Sequence, residues 1–148
     1  MIRISVYILS FFLLFSCANK EVNICISNTS FTDQEIFIEV FIDEEKLVSQ
    51  TFRADSITPN YDCFSFVLNK DKVALLVSTL NKDVVFKDTI DVENSQYVYI
   101  EYKYKVINDT AGAYEGFLSY ERIANTDSVI IVPKKFQIKY SESRIDIE

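Results

Sequence analysis

The chain has 148 residues, a formal net charge of −7 and no histidine. Without histidine it cannot form a Ser-His-Asp triad, a Cys-His pair or a histidine-ligated zinc site. A net negative chain also argues against nucleic acid and anionic lipid surfaces as partners, because both favour clustered Lys and Arg. Two glycines cannot supply a phosphate-binding loop. The sequence therefore predicts no catalytic residue, no metal ligand and no cofactor.

The first residues have the pattern of a secretory signal. Arg3 is the only charged side chain before Cys17, and the mostly apolar run Ile4–Phe15 follows it. This run is shorter than the roughly 20 residues that a membrane-spanning helix needs. It ends in Leu14-Phe15-Ser16-Cys17, which resembles the lipobox of bacterial lipoproteins. An ordinary secretory signal and an uncleaved N-terminal anchor are the alternatives.

The lipobox resemblance implies cleavage before Cys17 and acylation of that cysteine. Residues 1–16 would then be the signal peptide, and 17–21 the lipidated cysteine with a short tether. Ala18 stands where an Asp would signal inner-membrane retention. Lys20-Glu21 loosely resembles the export signal of surface-exposed Bacteroidetes lipoproteins. The expected address is the bacterial outer membrane, with exposure at the cell surface as one option. Removal of the signal would leave 132 residues, the usual size of one domain.

The rest of the chain alternates short β-prone runs with polar turns. A loop, Asn108–Gly116, holds both glycines, and Phe117–Ile123 fits either a strand or a short helix. We expect the chain to end in a tail at 141–148. The predicted strands are Val22–Ser27, Glu35–Ile42, Lys46–Arg53, Tyr61–Leu68, Val73–Leu80, Val84–Ile90, Tyr97–Ile107, Ser128–Val132 and Lys135–Tyr140.

Eight or nine short strands without crossover helices predict an all-β, antiparallel sandwich over residues 22–140. The spacing from Ile36 to Tyr102 resembles the immunoglobulin-like or transthyretin-like modules common in bacterial envelope lipoproteins. We expect an immunoglobulin-like sandwich from this resemblance. The Cys…Trp…Cys mark of true immunoglobulin domains is absent, because the chain has no Trp.

Two cysteines besides Cys17, Cys25 and Cys63, are candidates for a disulfide in an oxidising compartment. Alternation places both on the less apolar side of their strands, which permits a cross-strand bridge if those strands are neighbours. The competing interpretation is two separate free thiols that act as small apolar side chains.

The candidate recognition surface is one face of the long strand, formed by Tyr97, Tyr99, Glu101 and Lys103. Tyrosines offer flat, amphipathic contact area with little entropy to lose, which suits protein or glycan recognition. Alternatively, a second element packs over these tyrosines, or the aromatic pairs only stabilise the sheet. The acidic turn Asp43-Glu44-Glu45 lacks calcium-loop spacing and is interpreted as a soluble hairpin tip.

The sequence thus favours a lipid-anchored module of the cell envelope that binds or assists a partner and is not an enzyme. Its contacts would be the membrane, through the lipid, and an envelope protein or glycan, without nucleic acid. A structural subunit of an envelope complex is the alternative. A carboxylate-based glycan hydrolase is the weaker third reading, because nothing singles out two of the 22 acids.

Overall fold

A computed structural model describes residues 20–54, 60–108 and 129–145 of the chain. This part of the chain contains eight β-strands and no helix. The strands are β1 (Lys20–Asn28), β2 (Glu35–Ile42), β3 (Glu45–Arg53), β4 (Asp62–Leu68), β5 (Lys72–Thr79), β6 (Val85–Asp91), β7 (Tyr97–Asn108) and β8 (Val129–Ser141). The all-β prediction is confirmed. The predicted segment Phe117–Ile123, and the predicted loop beyond Asn108, lie outside the described residues.

The strands form two four-stranded sheets, which confirms the prediction of two sheets. Sheet A has the order β4-β1-β7-β8 and sheet B the order β3-β2-β5-β6. Neighbouring strands are antiparallel except β1 and β7, which run parallel with Ile24 opposite Val98. An immunoglobulin constant domain instead keeps its first, second, fifth and fourth strands in one sheet. Here β1 and β2 lie in different sheets, so the strand order differs from the immunoglobulin one.

The core lies between the sheets and is built from alternate residues of each strand. Ile24 on β1, Ile38 on β2 and Ile100 on β7 are fully buried there. Alternation of apolar and polar residues fixes which side of each strand faces the core, because successive side chains point to opposite faces. The core residues are Val22, Ile24, Ile26, Ile38, Val40, Ile42, Val48, Phe52, Val73, Leu75, Val77, Val84, Ile90, Val92, Val98, Ile100, Tyr102 and Phe136.

The hairpin between β2 and β3 has a two-residue loop, Asp43 and Glu44. Both have positive φ, 47° and 71°, as a type I′ turn requires. The Asp43 carboxylate accepts hydrogen bonds from the Lys70 ammonium and, at 2.9 Å, from the Ala74 amide. These two bonds hold the pKa of Asp43 below its usual value, that from Lys70 having the larger effect. The acidic turn is therefore tied to the segment that leads from β4 into β5.

The two closing strands predicted on either side of Pro133 are one strand, β8. Its pairing with β7 changes register between Lys103, opposite Lys135, and Lys105, opposite Val132. One extra residue on β8 is accommodated there as a bulge, next to a proline that has no N–H to donate to the ladder. The strand continues past this irregularity to Ser141, one residue into the segment predicted as a tail.

Candidate functional site

Cys25 and Cys63 lie directly opposite each other on β1 and β4. The structure joins them in a disulfide, with Cα atoms 4.0 Å apart. Cys25 is buried, whereas Cys63 is exposed because β4 is an edge strand. The bridge lies on the outer face of sheet A, since the neighbouring residues Ile24 and Ile26 point into the core. It therefore ties the edge strand to the centre of its sheet.

The four residues of the candidate recognition surface also lie on the outer face of sheet A, but two of them are buried. Tyr99 is 3% exposed and Glu101 is 7% exposed. Tyr97 and Lys103 are partly exposed. A partner could therefore contact Tyr97 and Lys103 directly, while Tyr99 and Glu101 act through the residues around them. The open surface is smaller than strand alternation alone predicted.

Tyr99 is covered by its strand neighbour Tyr97 and by two residues that are distant in the sequence. The Tyr61 ring packs edge-on against it, with centroids 5.3 Å apart, and the Tyr97 ring stacks on it at 6.1 Å. The backbone N–H of Ile145 donates a 2.8 Å hydrogen bond to the Tyr99 hydroxyl. A residue after β8 thus contacts sheet A, within the segment expected as a tail.

Glu101 is a buried carboxylate with three donor groups beside it. The Tyr61 hydroxyl donates a hydrogen bond to it, the Lys103 ammonium lies 2.9 Å away and the Lys139 ammonium 3.9 Å away. Burial by itself raises the pKa of Glu101, but the bonds from Tyr61 and Lys103 and the attraction of both lysines outweigh it and lower the pKa. Burial and the Glu101 charge raise the pKa of Tyr61. Glu101 is therefore a charged anchor for its neighbours.

A second polar cluster lies at the opposite end of the sandwich from Lys20, and sequence inspection missed it. The hydroxyl of Tyr102 donates a 2.7 Å hydrogen bond to Asp33. The Lys134 ammonium lies 3.2 Å from Asp33 and 3.8 Å from Asp83. Burial, followed by the Asp33 bond, raises the pKa of Tyr102, and the Asp33 bond chiefly raises the pKa of Lys134. The cluster ties the β1–β2 loop to both sheets. Only the polar tip of Tyr102, on an otherwise apolar face, signalled that it needs a partner.

The described residues also form a polar cleft of about 600 Å³ between the ends of β2, β3 and β4. Glu35 and Asp62 are among its lining residues, with Arg53 and Asn60. The Arg53 guanidinium lies 2.8 Å from the Glu35 carboxylate, so this acid is held in an ion pair. No group of three metal-ligating side chains occurs among residues 20–54, 60–108 and 129–145.

Cys17, the predicted lipidation site, lies outside the described residues. The described part of the chain begins with β1 at Lys20, three residues later. In the described part of the chain, no helix is long and apolar enough to cross a membrane. Comparison with protein-family models, with curated proteins and with solved structures gave no match.

Proposed function

We propose that the chain is a lipid-anchored module of the bacterial outer membrane that binds or assists a partner and does no chemistry of its own. The observation that carries the proposal is the sequence Leu14-Phe15-Ser16-Cys17 directly before an independent β-sandwich. Two residues, Ala18 and Asn19, lie between Cys17 and the start of β1 at Lys20, and an extended chain reaches about 3.5 Å per residue. The anchor would thus hold the first strand within about 10 Å of the lipid.

Stable anchoring follows from the chemistry of the lipidated cysteine. The lipobox resemblance implies three acyl chains on Cys17, each buried methylene contributing about 0.8 kcal/mol. A single chain gives only reversible binding, whereas two or more give stable attachment. The tether is short, so the domain would remain at the membrane surface, where partners of the envelope are found.

We further propose that the sandwich is a transthyretin-like module. Of the two resemblances suggested by strand spacing, the immunoglobulin one requires β1 and β2 in the same sheet. The observed order is β4-β1-β7-β8 in one sheet and β3-β2-β5-β6 in the other, and it supports the transthyretin-like resemblance. This is a likeness of architecture only, and such a likeness does not fix a ligand.

Metabolic labelling with tagged palmitate tests the anchor. We expect the wild-type chain to be labelled and to fractionate with the outer membrane. The Cys17→Ser variant should be unlabelled and keep its signal peptide. The Ser16→Ala variant, which keeps a small residue before the cysteine, is the matched control and should behave as wild type. An unlabelled wild-type chain, or membrane fractionation unchanged by Cys17→Ser, would contradict the proposal.

A structural subunit of an envelope assembly is the second candidate, and exposed apolar residues on edge strands favour it. Val67 on β4 is 66% exposed and Val85 on β6 is 46% exposed. Edge strands with free backbone groups can pair with a strand of another chain. Pull-down from solubilised membranes distinguishes the candidates. A stable complex of fixed stoichiometry supports the assembly role, and a complex that dissociates on dilution supports the binding module.

A further inference from the structure

The positive charges of this acidic chain are concentrated on one pair of strands. β7 and β8 carry five lysines and one glutamate, a net charge of +4, in a chain whose net charge is −7. Lys134 points toward the other sheet, where it pairs with Asp33 and Asp83. The remaining lysines lie on the outer face of sheet A. We name this set the lysine strip: Lys103, Lys105, Lys135 and Lys139.

The geometry of the two strands sets the spacing of the strip. Lys103 is paired directly with Lys135, and Cβ atoms of residues opposed in this way lie about 5 Å apart. From this pair, Lys139 lies four residues along β8 in one direction, and Lys105 lies two residues along β7 in the opposite direction, at about 3.4 Å per residue. The strip is therefore about 20 Å long.

Among the described residues, only one carboxylate lies within the strip, and it is already engaged. Glu101 is 7% exposed and accepts a hydrogen bond from Tyr61 while lying beside Lys103 and Lys139. Lys135 forms no ion pair with any of the described residues. Lys135 and Lys139 are exposed and Lys103 and Lys105 are partly exposed. The face keeps an excess of positive charge that an anion can reach.

Exposed aromatic rings border the strip at both ends. Phe31 is 67% exposed, and the Lys105 ammonium lies 4.3 Å from the centre of its ring. The backbone N–H of Phe31 donates to the carbonyl of Tyr104, which fixes the ring beside β7. Tyr97 is partly exposed at the other end. Aromatic faces provide flat apolar area on which the C–H face of a sugar ring can pack.

We propose that the lysine strip, with Phe31 and Tyr97, is a binding surface for an acidic polysaccharide. The inference rests on the proposed binding function and names the chemistry of its partner. A row of ammonium groups on an open sheet face suits an extended polymer that carries a charge on successive units. The four lysines lie outside the cleft of Glu35 and Asp62 and outside a second cleft beside Lys20 and Tyr97, so their ammonium groups are offered on the open face of the sheet.

The direction of β1 makes the anchoring membrane a poor occupant of the strip. β1 and β7 are parallel with Cys25 opposite Tyr99, and Tyr99 is opposite Lys139. Lys139 is thus level with Cys25, which is five residues after Lys20 and about 17 Å from the start of β1. Lys103 and Lys105 lie farther along the same direction. With β1 along the membrane normal, these distances exceed the screening length of about 8 Å at physiological salt, beyond which lipid charges have little effect.

Binding of alginate, a uronic acid polymer, to the full-length chain in neutral detergent tests the proposal. Neutral dextran of the same length is the control polymer, and titrations are made at 50 and 200 mM NaCl. We expect alginate to bind, dextran not to bind, and the alginate affinity to fall as salt rises. The double variant Lys105→Gln/Lys135→Gln should bind alginate on the order of tenfold more weakly.

The matched control is Lys72→Gln/Lys87→Gln, which makes the same change in net charge on sheet B, where both lysines are exposed. It should change the alginate affinity less than twofold. Arginine at positions 105 and 135 should restore binding, which separates charge from folding. No alginate binding, an equal loss in both glutamine variants, or tighter binding of DNA or polyglutamate than of alginate would overturn the proposal. Failure of the lipid anchor would instead appear in the palmitate experiment and leave this titration unchanged.

Discussion

Replacing Cys25 and Cys63 together by alanine removes the disulfide that joins β1 to β4. The bridge closes a loop of 38 residues, and the chain-entropy relation gives about 4 kcal/mol of stabilisation for a loop of this length at 25 °C. The stabilisation comes mainly from restricting the unfolded chain. A 132-residue domain has an unfolding entropy near 0.28 kcal/mol/K, so the melting temperature should fall by about 15 °C.

Urea denaturation measures this loss in three samples: the oxidised wild type, the wild type reduced with a phosphine, and the Cys25→Ala/Cys63→Ala variant. We expect the second and third to unfold with about 4 kcal/mol less free energy than the first. The reductant should leave the double variant unchanged, which controls for other effects of the phosphine.

Alkylation of the unreduced, unfolded protein provides an independent check of the same bridge. Peptides containing Cys25 and Cys63 should remain unlabelled by iodoacetamide until a reductant is added. Labelling of both without reductant, or a stability loss below about 1 kcal/mol, would refute the reasoning from loop entropy.

Three further predictions concern side chains of the core and of its polar edge. Folding lowers the pKa of Glu101, so this residue stabilises the fold above its unfolded pKa of about 4.3, and the stabilisation is lost as the pH falls through the folded pKa. Glu101→Gln should therefore lower the free energy of unfolding at pH 7. Acid denaturation curves should show the stability difference between this variant and the wild type shrinking as the pH falls. Tyr102→Phe removes the hydroxyl bonded to Asp33 and should lower the free energy of unfolding by about 2 kcal/mol; no change would mean that water replaces the bond. Ile38→Ala, at a site with no exposed surface, should cost about 2–5 kcal/mol, whereas Val67→Ala, 66% exposed, should change the stability by less than about 0.5 kcal/mol.

Strand positions could be predicted closely because they depend on local alternation. Glu35–Ile42 was predicted and is observed with the same bounds. The other predicted strands up to β7 differ from the observed ones by no more than two residues at either end, the usual uncertainty of strand ends. The exception is β8, for which the sequence predicts two strands because Pro133 interrupts the β-prone run. The register with β7 shows that a bulge accommodates this residue.

The candidate recognition surface could be predicted only in part. Alternation correctly places Tyr99 and Glu101 on the side of β7 away from Ile100. It could not show that both are buried, because their covering groups come from Tyr61, 40 residues before Glu101, and from Ile145, 46 residues after Tyr99. Cover by distant residues leaves no periodic signal in the strand itself.

The concentration of lysines was hidden in the sequence for a similar reason. Lys103 and Lys105 are separated from Lys135 and Lys139 by some 30 residues, and the net charge of the whole chain is −7. Pairing of β7 with β8 places them on one face. Net charge is a sum over the chain, whereas binding responds to the local charge within a screening length of about 8 Å.

The sequence by itself determined the β character of the chain, the inward face of strands such as β1, β2 and β7, and the segment that ends at Cys17. Each of these depends on neighbouring residues, whose spacing along the chain is fixed by covalent geometry. Tertiary structure alone decided the parallel pairing of β1 with β7, the assignment of β1 and β2 to different sheets, and the burial of Glu101. These depend on which distant strands meet, and that choice is made by burial of the whole apolar surface at once.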